Sequence, residues 1–473
     1  MEVVGLNQQA KAPTPIPGRA WAIAAVTGAG AFMAMLDSTV ANLAIEAIRD
    51  DLSSSLSIVQ WVATGYLCAL AVSLPANAWL GARLGYGRLW AGSLIVFLLA
   101  SVSCALAPDA PALIAARLVQ GLAGGLMVPA GQAVIGSTID KGQLGRIFGT
   151  LGLVIALGPA VGPVLGGLLL DAVSWRWLFW LNVPIGVVAL IAAIGLVPRG
   201  ERDPQRSIDV TAYTLLAVGL PLFLFGASDM GDAGNGEAGP VALALGVLLT
   251  VAFLVITIYR RNPLIDLTLL KRRMFSTATL TTGLTGANMY GGLLLIPLYL
   301  QLIAGADSVT TGLWLLVMGL GSAFVLPVAG ALTDRFGGGG VSLAGAILLL
   351  ISTLPLAWPQ VPSTVSLAMC LVARGVGVAL AQMPAMTAAY TTAAADEMGD
   401  ATTLVNIVQR VGGALGAVGV VVLVQQTGGT GRIGAHNVAF SALAIVSALT
   451  MVSAALLHRQ SRHHPANAVE ATD

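Results

Sequence analysis

The sequence contains little charge: only 10% of its 473 residues are Asp, Glu, Lys or Arg, against about 25% in an ordinary soluble domain. Its three cysteines have no metal-type spacing, and we interpret them as small packing residues. The chain also has no basic domain suited to nucleic acid, no nucleophile–base pair and no phosphate-cradling loop. We therefore expect no cofactor, metal site or nucleic-acid partner, and we expect that the protein is not an enzyme.

In place of charge the sequence has long apolar runs, and 56% of its residues are hydrophobic. A run of roughly 20 apolar residues crosses a bilayer core of about 30 Å as a helix. The pattern predicts an all-α polytopic membrane protein with fourteen transmembrane helices. The candidate spans are 20–44, 57–82, 89–107, 111–137, 145–170, 175–197, 208–228, 239–259, 275–302, 309–333, 340–358, 365–391, 400–425 and 436–457.

Lys and Arg are distributed unevenly among the connecting segments. With the N-terminus inside, 17 of the 23 basic residues lie in inner segments and only three in outer ones. Inner loops of membrane proteins are enriched in Lys and Arg, so both termini are predicted to be cytoplasmic. The remaining three, Arg117, Arg374 and Arg410, lie within spans.

The chain also repeats itself. The segment "AWLGARLGYGR" (78–88) is similar to "GALTDRFGGGG" (330–340), and each is followed by an Arg with small residues and a Pro. Internal repeats are typical of secondary transporters, whose sites lie between the repeats near the midplane. We predict two six-helix bundles. The predicted divisions are a tail at 1–19, bundles at 20–198 and 274–457, a linker with two inserted helices at 199–273, and a tail at 458–473.

An aspartate interrupts the first span in "FMAMLDSTVANLAI" (32–45). Asp37 lies roughly 25 Å from the inner edge of its span, and Arg117 lies about 9 Å below the outer edge of the fourth span. A lone charge at such depth costs at least about 2.5–3.5 kcal/mol, so the two are expected to interact directly or through water. One interpretation is a static pair that locks two helices together. The other is a proton switch, because burial and a nearby Arg shift a carboxyl pKa in opposite directions.

The fifth span carries small residues at a regular interval in "GLVIALGPAVGPVLGG" (152–167). Gly158, Gly162 and Gly166 are four residues apart, which allows close helix packing. Pro159 and Pro163 beside them bend the helix.

These motifs resemble the major facilitator superfamily, and within it the fourteen-span drug/proton antiporters of bacterial multidrug efflux. "LDSTVANLAI" resembles the family's first-span motif at Leu36, Asp37, Thr39 and Asn42, and "RLVQG" resembles its fourth-span motif. "LGPAVGPVLGG" is similar to its fifth-span antiporter motif. The resemblance implies location in the bacterial inner membrane and a role in proton coupling for Asp37, with Arg117 near it. It implies gating roles for Gly158, Pro159, Gly162, Pro163, Gly166, Gly167, Arg83, Asp334 and Arg335.

One position departs from the family pattern. The first copy of the loop motif has Ala82 before Arg83, where the family carries Asp, whereas the second copy keeps Asp334 and Arg335. This predicts a weaker latch on the outward-open state.

Substrate residues are the least defined by the sequence. Polar and Met side chains within spans suit a permissive apolar site, and the candidates are Met33, Asn42, Gln120, Gln132, Asn288, Tyr290, Gln382, Met383, Met386, Asn406 and Arg410. Arg410 either binds anionic substrate groups or anchors the C-terminal bundle. We expect small amphipathic substrates, protons and membrane lipids as partners, and a functional monomer. Alternatives are an exporter dedicated to one endogenous metabolite or lipid, and a membrane sensor without transport.

Overall fold

The computed structural model describes residues 15–229, 238–260, 263–358, 360, 362–429 and 431–463. Within these ranges all regular structure is helical. The first helix group comprises α1 (Gly18–Leu43), α2 (Ile45–Asp51), α3 (Leu56–Ser73), α4 (Asn77–Leu84), α5 (Tyr86–Ala105), α6 (Ala110–Thr138), α7 (Leu144–Ala172), α8 (Arg176–Trp180) and α9 (Asn182–Leu196). A middle pair follows, α10 (Val210–Asp229) and α11 (Ala238–Tyr259). The second helix group comprises α12 (Arg273–Leu302), α13 (Ser308–Phe336), α14 (Gly338–Thr353), α15 (Thr364–Thr392), α16 (Met398–Gln426) and α17 (Ile433–His463).

Eleven helices in the described part of the chain are long and apolar enough to cross a membrane. The prediction of an all-α integral membrane protein is therefore confirmed. The other three predicted spans correspond to α7, α10 and α12, which have 29, 20 and 30 residues. The polar residues along α12, among them Thr279, Thr281, Thr282 and Thr285, are buried against neighbouring helices and make that helix less apolar. The count of fourteen stays a prediction.

Packing within each group is extensive. In the first group α1 packs on α6, α7 and α9, and α3 and α5 both pack on α6. In the second group α12 packs on α15, α16 and α17, and α14 packs on α15 and α17. The middle helices pack on each other, and α10 also contacts α3 and α16. The two groups meet where α7 packs on α13 and where α16 packs on α4 and α6.

The two copies of the repeated loop share a backbone conformation at one glycine. Gly85 and Gly337 each precede a helix with a positive φ, +88° and +80°. Residues with a side chain seldom adopt this conformation, which explains a glycine at each position. A Cβ at Gly85 would also lie 2.4 Å from the carbonyl oxygen of Arg199. We call the side of the bundle where α1 begins the near face, and the opposite side the far face.

Ion pairs also form outside the spans, and they include one at the far face and one at the near face. At the far face Arg176 Nη1 lies 2.5 Å from Asp51 Oδ2, and the hydrogen bond from Arg176 lowers the pKa of Asp51. At the near face Arg272 Nη2 lies 2.5 Å from Glu397 Oε1, and the hydrogen bond from Arg272 lowers the pKa of Glu397. These pairs hold connecting segments together where water is present.

Candidate functional site

Asp37 lies inside the first helix group, where only 4% of its surface is exposed. Its Oδ2 accepts a hydrogen bond from Arg117 Nη1 of α6. Its Oδ1 accepts from Gln120 Nε2 and from Asn182 Nδ2, each at 3.2 Å. A buried carboxylate needs such partners to remain charged. The two residues that the sequence placed at similar depth therefore form an ion pair in the structure.

Arg117 is completely buried beside Asp37. Its Nε donates to the carbonyl oxygen of Val62 at 2.9 Å, and its guanidinium carbon lies 4.2 Å from the ring centre of Tyr66 and 5.6 Å from that of Phe179. Aromatic faces attract a cation most strongly when it is removed from water. Its Nη2 has no hydrogen-bond partner among the described residues. The pair is thus held rigidly, with one donor left available.

Behind the ion pair lies a layer of neutral polar groups. Gln120 Nε2 and Asn182 Nδ2 donate to Ser101 Oγ at 3.3 and 3.1 Å, and Ser101 donates to the carbonyl oxygen of Phe179 at 2.9 Å. These groups fix the orientation of the amides that hold Asp37. The sequence reasoning singled out Gln120 but missed Ser101 and Asn182. A signal existed for Asn182, the polar residue at the start of the apolar helix α9.

The far half of α7 packs against α1 on both sides of Asp37. A Cβ at Gly158 would lie 2.9 Å from the Cβ of Met35, and a Cβ at Gly162 would lie 2.5 Å from Thr39 Oγ1. The glycines four residues apart therefore permit close contact between these helices. Gly166 continues the same contact at Leu43, whereas Gly167 faces nothing within 4 Å. The side chains of Asn42, Pro159 and Pro163 lie outside the described residues.

The near half of α7 also contacts α1, at Gly28, but it packs in addition against the second helix group. A Cβ at Gly149 would lie 2.5 Å from the carbonyl oxygen of Leu326 in α13, and a Cβ at Gly330 would lie 2.3 Å from the carbonyl oxygen of Gly145. Asp334 of α13 accepts hydrogen bonds from the backbone N–H groups of Gly145 at 2.7 Å and Arg146 at 3.1 Å, and from Arg146 Nε at 2.9 Å. A carboxylate at a helix N-terminus is favoured by the exposed N–H groups and the helix dipole. One helix thus contacts the helix of Asp37 at one end and the second group at the other.

A second near-face contact forms at the repeat copy that has Ala82. Here the carboxylate comes from the opposite helix, because Asp400 of α16 accepts from Arg206 Nη2 at 3.2 Å and from the backbone N–H of Asp266 at 3.2 Å. Asn77 Nδ2 also donates to Thr403 Oγ1 at 3.0 Å. We call Asp334 with Arg146, together with Asp400 with Arg206, the near-face latch.

Two arginines expected at this gate take no part in the near-face latch. Arg83 is exposed, and its guanidinium carbon lies 5.7 Å from the ring centre of Trp79. Arg335 is also exposed and lies 5.1 Å from the ring centre of Phe336. Each long side chain stacks on an aromatic neighbour of its own helix instead of reaching across the groups.

Some of the substrate candidates meet between the two groups. Gln132 Oε1 of α6 accepts from Asn406 Nδ2 of α16 at 2.7 Å and from the Tyr390 hydroxyl of α15 at 3.2 Å. The ring centre of Tyr390 lies 5.2 Å from that of Phe148 in α7. Met383 lies nearby, 2.9 Å from where a Cβ of Gly152 would be. These contacts close the space between the groups on its near side.

Other candidates were expected in a cavity, but the structure places them within a helix group. Met33 of α1 is fully buried in the core of the first group, where it packs with Tyr66, Trp90 and Met127. Asn288 is buried in the second group, where its backbone carbonyl oxygen accepts a hydrogen bond from Arg374 Nη2 at 2.8 Å. Apolar residues cover both the lipid-facing and inward-facing sides of these helices, so hydropathy alone did not separate the two.

The remaining candidates differ in exposure. Met386 and Gln382 of α15 are 2% and 8% exposed, whereas Tyr290 of α12 is 38% exposed and its ring lies against Gly413. Arg410 of α16 is half-buried. The site therefore consists of a buried ion pair in the first group and, on the second group, a face with partly exposed side chains at Tyr290 and Arg410.

Comparison with known proteins agrees with this architecture. Residues 27–417 match the family model described as Major Facilitator Superfamily. The chain is 34% identical over 390 residues to a multidrug resistance protein B homolog of Mycobacterium tuberculosis, covering 81% of this chain and 72% of the relative. It is 31% identical over 403 residues to a tetracenomycin C resistance and export protein of Streptomyces glaucescens, covering 84% and 75%. The solved structure of the proton:xylose symporter XylE has the same fold, with a TM-score of 0.63 at 14% identity, covering 92% of this chain and 95% of that one.

Proposed function

The chain belongs to the Major Facilitator Superfamily, a family of transporters and not of enzymes, and we propose that it exports small amphipathic compounds, drugs or antibiotics among them, in exchange for protons. The relatives named for multidrug resistance and for tetracenomycin C resistance and export support this proposal. We propose that residues 20–198 and 274–457 act as two bundles that rock about a central site, as alternating access requires.

The observation that carries the proposal is the double contact of α7. Its far half lies against α1 at Met35 and Thr39, on either side of Asp37, and its near half lies against α13 at Gly330. Protonation of Asp37 removes the attraction to Arg117 and one acceptor for the surrounding donors. The free energy of the contact between α1 and α7 then changes. Because α7 also packs on α13, the contact between the two groups changes with it. Proton binding and substrate binding are reciprocally coupled when each of them favours a different position of α7.

We propose that the near face is the cytoplasmic face of a bacterial inner membrane, because most Lys and Arg residues lie on that side. The engagement of Asp334 and Asp400 there supports the proposal that this state is closed toward the cytoplasm. An exporter in this state releases substrate outward and takes up a proton at Asp37. We propose that one chain, surrounded by lipid, is sufficient for this cycle.

The exchange mechanism is tested by reconstituting the purified wild type in liposomes with an imposed pH gradient. We expect a fluorescent amphipathic dye and protons to move in opposite directions, with a dye flux that rises with the gradient. The proton flux is measured with a pH-sensitive dye trapped in the lumen. Dye transport that is unaffected by the gradient would contradict proton exchange.

The near-face latch provides a further prediction. Asp334→Asn and Asp400→Asn each remove a charged acceptor from several donors, and such a loss costs about 1–3 kcal/mol. We expect each variant to raise the fraction of molecules opened at the near face, and the double variant to raise it more. Distances between spin labels on the exposed residues Gly142 and Ala395, one on each helix group, report the opening.

Glu201→Gln is the matched control for the latch variants. Glu201 is an exposed acid of the linker at the same face, so its neutralisation should leave the distance distribution as in the wild type. If Asp400→Asn also left it unchanged, the pairing with Arg206 would not compensate for Ala82.

A further inference from the structure

Arg410 differs from the other two arginines within the spans. Arg117 is paired with Asp37, and Arg374 is fully buried with its guanidinium bonded to Thr353 Oγ1 at 2.6 Å and to a carbonyl oxygen. Arg410 is half-buried and forms no hydrogen bond or ion pair with any residue that the structure describes. Its guanidinium is therefore available to a ligand.

Arg410 lies deep in its helix, where an unpaired charge is energetically unfavourable. It lies 12 residues after Met398 in a helix of 29 residues, which places its Cα roughly 18 Å along a helix about 43 Å long. An arginine at the bilayer centre costs at least about 2.5–3.5 kcal/mol unless it faces water or a partner. Arg410 therefore faces the space between the helix groups and not the lipid.

Neighbouring contacts agree with this orientation. Asn406, one turn nearer the near face, reaches Gln132 of the first group. A different side of α16, at Gly412 and Gly416, packs closely on α12. Arg410 follows Asn406 by four residues and so lies on the same face of α16, the face that meets the first group.

The charges around this space sum to a positive value. Asp37 is already neutralised by Arg117 and is bonded to Gln120 and Asn182, so it is not available to balance Arg410. A guanidinium binds carboxylate, sulfonate and phosphate groups through paired hydrogen bonds. Tyr290 lies against Gly413, one turn from Arg410, and the residue is 38% exposed. An aromatic surface beside a cation suits a ligand that is apolar at one end and anionic at the other.

We propose that Arg410 is the anion-binding subsite of this transporter, and that its preferred substrates are amphipathic anions. Tyr290 contributes the apolar contact, and Arg410 supplies the charge. This inference deepens the proposed function and rests on the space between the groups being the substrate site.

The test compares two probes that differ by one charge, dansylglycine and its neutral methyl ester. Binding to the purified chain in lipid nanodiscs is measured by dansyl fluorescence without a pH gradient, with empty nanodiscs subtracted. We expect the wild type to prefer the acid by at least about tenfold, the size expected for a charge-assisted hydrogen bond. Arg410→Gln should abolish the preference, whereas Arg410→Lys should keep part of it.

Arg273→Gln is the matched control, because Arg273 is an exposed arginine at the near-face start of α12. It should retain the preference for the acid. Equal binding of both probes to the wild type, absence of saturable acid binding, or an unchanged preference in a folded Arg410→Gln variant would each overturn the subsite.

The binding test and the transport test fail separately. If charge-selective binding is present but liposomes show no proton exchange, the export mechanism fails and the subsite stands. If gradient-driven dye transport is present and Arg410→Gln leaves acid binding intact, the subsite fails and the export mechanism stands.

Discussion

Asp37→Asn is expected to reduce gradient-driven transport to the level seen without a gradient. An amide has nearly the shape of the carboxyl group but takes up and releases no proton at ordinary pH. Substrate exchange across liposomes without a gradient should continue, because that process needs the conformational change but no net proton movement. Comparison of gradient-driven flux with exchange flux therefore isolates the proton step.

Loss of the Asp37 charge also leaves Arg117 buried without its counterion, and breaking a buried pair in this way costs about 3–5 kcal/mol. The double variant Asp37→Asn with Arg117→Gln removes both charges and keeps the protein testable if the single variant does not fold. Asp51→Asn is the matched control, because Asp51 is also paired with an arginine but is exposed at the far face. Full proton coupling in folded Asp37→Asn would show that the pair only locks α1 to α6.

The ion pair could be predicted from the sequence because few charges occur inside the spans. Asp37 and Arg117 lie at matching depths, and depth follows directly from the residue count along a helix. Asn182 and Ser101 could not be predicted in the same way. The contact of Asn182 with Asp37, and that of Ser101 with Gln120 and Asn182, depend on how α5 and α9 are rotated about their axes. An apolar helix in lipid gives little periodic signal for rotation.

The near-face latch shows a second limit of the sequence. Ala82 indicated a weakened gate, since the first loop copy lacks the expected acid. The structure instead brings Asp400 from α16 to Arg206 of the linker, 194 residues apart. The pattern of one loop motif gives no indication of an acidic residue that lies on a different helix, distant in sequence. Asp400 places a charged acceptor against the linker beside the first loop copy, and the weaker latch stays a prediction.

Gly330→Ala is expected to prevent closure of the near face and to reduce transport at least about tenfold. The new Cβ would lie 2.3 Å from the carbonyl oxygen of Gly145 and 3.0 Å from the Cα of Arg146. Both neighbours are backbone atoms of α7, so no change of side-chain rotamer relieves the overlap and the two helices must separate. The separation should appear as longer distances between labels at Gly142 and Ala395, together with lower dye flux.

The structure also offers a graded comparison for this prediction. Gly319 lies on the same helix with nothing within 4 Å, so Gly319→Ala should leave label distances and flux unchanged. Gly162→Ala would meet the Thr39 hydroxyl at 2.5 Å, and rotation of that side chain relieves part of the overlap, so its effect should be intermediate. Because Gly162 contacts α1 and not α13, its variant should disturb proton coupling more than near-face distances. If Gly330→Ala and Gly162→Ala instead changed both measurements equally, α7 would not divide its two contacts between the proton site and the gate.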